Sequence, residues 1–136
     1  MFRILGLDHL VLRVVNLPVM QAFYCGVLGC TLERERSDLG LTQLRAGSAI
    51  IDLVRIDGPL GSKGGAAPGI EGRNLDHFCL TIAPFDAGQI RQHLQAHGVS
   101  AGEVLPRFGA NGEGPSMYVT DPEGNMVELK GPPADA

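Results

Sequence analysis

Apolar positions recur in this chain at two spacings, and each change of spacing marks a change of element. Alternating or β-branched runs predict strands over residues 6–14, 30–36, 41–46, 48–56, 75–82, 103–107, 116–121 and 125–130. Between the first two, Met20, Phe23, Tyr24, Val27 and Leu28 fall at i, i+3, i+4, i+7 and i+8, with Asn16 as N-cap, Pro18 in the opening turn and Gly29 as the stop. This spacing predicts an amphipathic helix. A second helix follows the fifth run: Asp86 caps it, Gln89 completes a capping box, Phe85 staples onto Ile90, and Gly98 closes it.

The elements come in two matching sets. Leu7-Asp8-His9-Leu10-Val11-Leu12 returns as Leu75-Asp76-His77-Phe78-Cys79-Leu80, 68 residues later, with the first Leu, Asp, His and the final Leu kept. Each half then ends on an apolar pair, an acid and a leucine: Ile50-Ile51-Asp52-Leu53 and Met126-Val127-Glu128-Leu129. The order is β-α-β-β-β twice. Strands outnumber helices, so an α+β fold with helices on one face of the sheet is expected rather than a doubly wound parallel sheet. The halves cover about residues 5–57 and 74–131, joined by a glycine-rich linker over 58–73 within one domain of 1–136. Glycines 58, 61, 64, 65, 69 and 72 make this joining segment costly to order, and it is expected to act as a linker or a mobile flap.

Composition narrows the function classes. The 136 residues are 44% apolar and 19% charged, enough for one sizeable core. Eleven Lys and Arg face 15 Asp and Glu, giving a net charge of −4, so no clustered positive face for nucleic acid is expected. Arg3, Asp8, His9 and Arg13 interrupt the first fifteen residues, which rules out an apolar signal core or membrane span there and makes a cytoplasmic location the expectation. Cys25, Cys30 and Cys79 are odd in number and form no C-x-x-C; they are read as reduced and mostly buried.

Alternation along the repeated strands puts Ile51, Leu53, Val127 and Leu129 on one face and Asp52 and Glu128 on the other, where His9 and His77 can join them. One histidine on an apolar strand is ordinarily a satisfied core or edge residue, but both copies repeat the arrangement. Two imidazoles with two inward carboxylates form a ligand set for one divalent ion of the Zn, Ni, Fe or Mn kind, and the ion would offset the cost of burying the carboxylates.

The run His9-x-x-Leu12-Arg13-Val14, Asn16-Leu17, Phe23-Tyr24, Leu28-Gly29, then Asp76-His77, then Asp121-Pro122-Glu123-Gly124-Asn125 with Val127-Glu128-Leu129, resembles the vicinal oxygen chelate superfamily over roughly residues 5–131. That superfamily holds glyoxalase I, extradiol dioxygenases, fosfomycin and bleomycin resistance proteins and methylmalonyl-CoA epimerase. The resemblance implies paired βαβββ modules in a curled mixed sheet, a metal on His9, Asp52, His77 and Glu128, a small-molecule substrate, and a homodimer. Asp52 stands where the family usually has Glu. It either reaches the metal through water or leaves a 2-His-1-carboxylate set suited to iron.

The resemblance also implies roles for other residues. Tyr118 sits at the position of an active-site tyrosine of dioxygenases and fosfomycin thiol transferases, with Ser116 beside it on the same face, while Arg13 matches a substrate-carboxylate contact of glyoxalase I. The expected activity is a glyoxalase-like lyase or isomerase working through a metal-stabilised enediolate, with Glu128 and Asp52 moving the proton and glutathione or another thiol as a candidate co-substrate. An iron-dependent extradiol dioxygenase is the first alternative, although residues 61–74 lack its acid-base histidine. A non-catalytic drug-binding resistance protein is the second. His93 and His97 share a helix face without the Glu of H-E-x-x-H and are read as solvated, and Cys79 as a buried thiol rather than a nucleophile.

Overall fold

The computed structural model describes residues 1–133 and divides into two compact units, Met1–Asn74 and a second that begins at Leu75. In the first, β1 (His9–Val14), α1 (Leu17–Ala22), β2 (Thr31–Arg36), β3 (Leu41–Ala46) and β4 (Ala49–Arg55) build a sheet of order β1-β4-β3-β2, parallel between β1 and β4 and antiparallel elsewhere. In the second, β5 (Phe78–Thr81), α2 (Ala87–Ala96), β6 (Leu105–Gly109), β7 (Gly112–Thr120) and β8 (Met126–Lys130) repeat the pattern as β5-β8-β7-β6. The architecture is α+β, two βαβββ modules with mixed four-stranded sheets. No described helix is long and apolar enough to cross a membrane.

The helix caps act as the sequence implies: Asn16 accepts from Val19 N at 3.2 Å, and Asp86 from Gln89 N at 3.0 Å. The first helix is less regular than its spacing suggests. It is α-helical only to Ala22 and continues as a π-helical turn over Phe23–Val27 before Gly29 ends it at φ +84°. Within that wider turn the adjacent Phe23 and Tyr24 are both buried, edge to face at 5.1 Å. Each sheet buries one face. Leu12, Leu44, Ile51 and Leu53 line it in the first unit with Met20 of α1; Met117, Val119, Val127 and Leu129 line it in the second, where Leu94 is the buried residue of α2.

The Asp121–Asn125 turn between β7 and β8 is built around one buried carboxylate. Asp121 Oδ1 accepts from Glu123 N and Asn125 N, both at 2.9 Å, and Oδ2 accepts from Asn125 Nδ2 at 2.8 Å. Gly124, at φ +90°, completes the reversal. This turn sets the start of β8, the strand that bears Glu128.

The glycine-rich segment is more than a tether. Arg13 Nε donates to Gly61 O at 2.9 Å, Nη1 to Ala66 O at 3.0 Å and Nη2 to Gly65 O at 2.7 Å, while the Asn74 side chain bonds both the N and the O of Arg13. Its glycines serve close approach as well as freedom. A Cβ on Gly61 would collide with the Arg55 carbonyl, and one on Gly64 would collide with the Arg13 guanidinium.

Candidate functional site

In the first unit, alternation turns His9 and Val11 of β1, Asp52 of β4 and Gln43 of β3 away from the buried face. Val11, Asp52 and Gln43 stand abreast in register. The Nδ1 of His9 bonds Asp8 Oδ1 at 2.7 Å, which turns Nε2 toward Asp52 Oδ2 at 4.0 Å. The other Asp52 oxygen accepts from Gln43 Nε2 at 3.0 Å. The hydrogen bond that His9 donates to Asp8, followed by the Asp52 charge, raises the pKa of His9.

The second unit repeats this with different chemistry around it. His77 Nδ1 bonds the Asp76 carboxylate, and Nε2 lies 3.3 Å from Glu128 Oε1. Cys79, Glu128 and Tyr118 stand abreast, so Cys79 takes the place of Val11 and Tyr118 that of Gln43. The Tyr118 ring meets His77 edge to face at 5.2 Å, and the Arg107 guanidinium lies 4.6 Å from its centroid. Desolvation, then the Glu128 carboxylate, push the Tyr118 phenol up. Next to this row a recess of about 290 Å³ is lined by residues that include His77, Cys79, Glu128, Lys130 and Phe108.

Both carboxylates are buried and both histidines are held by the carboxylate that precedes them in sequence. Metal-bound histidines commonly donate their second nitrogen to a carboxylate, which fixes the ring and raises its basicity. Two ligands at about 2.1 Å from one ion and at adjacent coordination positions stand about 3.0–3.4 Å apart. The His77–Glu128 pair has that spacing at 3.3 Å, and the His9–Asp52 pair at 4.0 Å falls outside it, as the shorter aspartate would give. Among the described residues no three His, Cys, Asp or Glu side chains gather into one metal-binding group, so each unit presents a pair. The donor chemistry of both pairs fits a divalent ion.

A family model described as Glyoxalase/Bleomycin resistance protein/Dioxygenase superfamily matches residues 6–129. The chain belongs to this superfamily. Solved structures similar to this superfamily member include a virulence protein from Salmonella typhimurium, at 26% identity and TM-score 0.78 over 96% of this chain and 99% of that one. A lactoylglutathione lyase from Agrobacterium tumefaciens is similar at 21% identity and TM-score 0.67 over 93% of each chain. A fosfomycin resistance protein from Mesorhizobium loti is similar at 19% identity and TM-score 0.67, over 97% of this chain and 96% of that one.

Some residues singled out in this glyoxalase-superfamily chain are occupied elsewhere. The Arg13 guanidinium spends three of its five N–H donors on loop carbonyls, which ties it to the 61–66 segment. Ser116 is fully buried and its Oγ accepts from Arg107 Nη1 at 2.6 Å, which makes it a support for Arg107. Cys30 is buried and Cys25 partly so, but Cys79 is exposed, because its strand position faces the recess instead of the core. Desolvation and the neighbouring Glu128 push its thiol up to about 11, which leaves it a poor nucleophile. His97 Nδ1 bonds His93 O within the exposed face of α2, away from any carboxylate pair.

Four residues at or beside the site are missing from the set that the sequence suggests. Asp8 and Asp76 are visible there as the same letter before each repeated histidine, and a neighbour repeated with a ligand candidate is a candidate for holding it. Gln43 and Arg107 carry no such mark. Their roles depend on cross-strand register and on a cation lying over a ring.

Proposed function

We propose that the chain is a metal-dependent lyase or isomerase of the glyoxalase kind, acting on a small substrate with two vicinal oxygens. The observation that carries this is the Asp–His dipeptide that occurs in both units with Nε2 turned toward a buried carboxylate. His9 with Asp52 and His77 with Glu128 are then two halves of one ligand set, drawn from one copy of the chain or from two. A divalent ion held there, Zn, Ni, Fe or Mn, would supply Lewis-acid stabilisation of the negative charge that develops on the substrate oxygens. Glu128 takes the proton from the carbon beside them and returns it to the neighbouring carbon. Tyr118, abreast of Glu128, donates its phenolic hydrogen to a substrate oxygen, a phenol being protonated at neutral pH and this one pushed further that way by desolvation and Glu128. Asp8 and Asp76 hold the imidazoles in the tautomer that leaves Nε2 free to bind.

Metal-loaded protein assayed with methylglyoxal plus a thiol, and separately with catechols, tests the reading. Isomerisation without oxygen uptake supports it, and oxygen-dependent ring cleavage would replace it with an extradiol dioxygenase. The dioxygenase reading is favoured by one observation, the wider His9–Asp52 pair, which suits three ligands rather than four. Asp52 discriminates between them. In a lyase, Asp52→Ala lowers metal affinity and turnover together and Asp52→Glu preserves both; in a three-ligand iron centre Asp52→Ala leaves metal content nearly unchanged. Asp76→Asn is expected to cost about 10- to 100-fold in metal affinity, read by competition with a chromophoric chelator, and an unchanged affinity would remove the positioning role.

The same reading takes the chain as a homodimer. Phe2, Ile4, Leu5 and Leu7 are almost fully exposed just ahead of β1, an edge strand of its sheet, and such an apolar run calls for cover. Sedimentation at micromolar concentration is expected to show a dimer that Leu5→Glu with Leu7→Glu weakens, whereas a monomeric wild type contradicts it.

A further inference from the structure

Lys130 is one of the few charged residues buried in the described structure, at 6% exposure. Its Nζ donates to Gly112 O at 2.8 Å. Among the described residues no carboxylate lies within ion-pair distance of it, and Glu128, the nearest acid along its strand, is directed at His77. An ammonium has three donors. A neutral carbonyl answers one of them, and the strand places the remainder at the recess that His77 and Glu128 also line.

The walls seat this side chain closely. A Cβ on Gly109 would come within 3.2 Å of Lys130 Cε and 3.4 Å of Cδ, so the stem lies along the glycine backbone where the β6–β7 turn closes the recess. Thr81, abreast of Lys130 in register, lines the same space. Burying a cation without an anion is costly, and an anionic group entering the recess would remove that cost.

We propose that this recess is a subsite for the anionic end of the substrate, with Lys130 as its cation, so that the substrate carries a carboxylate beside its vicinal oxygens. The inference rests on the metal-centred reading of His77 and Glu128. Lys130 follows Glu128 by two residues on one strand face, about 7 Å along the strand. The carboxylate therefore sits a few bonds from the vicinal oxygens. Lys130 is a specificity residue, since the chemistry at the oxygens belongs to the other side chains.

The test uses protein loaded with Zn²⁺ and two bidentate probes with the same chelating group, acetohydroxamate and malonomonohydroxamate, which differ by a carboxylate. Calorimetric titration of the wild type is expected to favour the carboxylate-bearing probe by about tenfold or more, in line with a charge-assisted hydrogen bond. Lys130→Met keeps the packed stem and should bring the two affinities within about threefold, with acetohydroxamate affinity unchanged. The ratio is taken within one protein, so partial misfolding of a variant does not distort it. Absence of preference in the wild type, or its survival in Lys130→Met, overturns the subsite alone. Failure to take up Zn²⁺ at all overturns the metal reading and the subsite with it.

Discussion

Glu128→Gln is expected to lower turnover by about 10³-fold, within the range for removing a positioned general acid or base. Glutamine keeps the shape of the side chain and its place between Cys79 and Tyr118, so the sheet is undisturbed. What is lost is the charge that faces His77 Nε2 at 3.3 Å and the basicity needed to take a proton. Metal affinity should fall as well, because an amide oxygen is a far weaker partner for a divalent ion than a carboxylate. A Glu128→Gln protein that retains metal and most of its activity would move the proton-transfer role to another residue. Steady-state kinetics beside metal analysis separate the two losses.

The second large effect is on folding. Asp121→Ala removes a buried carboxylate that accepts three hydrogen bonds at 2.8–2.9 Å and leaves the Glu123 and Asn125 donors without it. Buried donors stripped of a charged acceptor cost about 1–3 kcal/mol, and here several are affected, so a loss of about 3 kcal/mol is expected in urea unfolding. Asp121→Asn, which can still accept at one oxygen, should lose less. Equal and small effects of both substitutions would mean that the turn is held by its backbone bonds alone, Asp121 N to Asn125 O and Gly124 N to Asp121 O.

This turn also explains why much of the fold is legible in the chain. Asp, Gly and Asn at fixed places in Asp121–Asn125 are local requirements of a tight reversal, and the alternation in β4 and β8 is a local requirement of a half-buried strand. The face on which Asp52 and Glu128 lie follows from that alternation alone, and repetition in both halves separates them from ordinary strand acids. The bonds from Arg13 to the loop are not legible in the chain, because its partners, Gly61, Gly65 and Ala66, are distant in sequence and are backbone carbonyls, which leave no trace in residue type. Gly61 suggests freedom where close contact with the Arg55 backbone carbonyl is what requires it. Cys79 reads as buried because cysteine usually is, whereas its register opposite Glu128 sends it to the recess. Lys130 carries no sequence signal, since its setting is made by a turn some twenty residues earlier.

In the proposed metal site the two His–carboxylate pairs serve one ion. Elemental analysis after dialysis of protein saturated with Zn²⁺, set beside His9→Ala and His77→Ala, tests it most directly. About one ion per chain in the wild type, with most of it lost in each of the two variants, is the result the shared site predicts. Full metal content in both variants would contradict it.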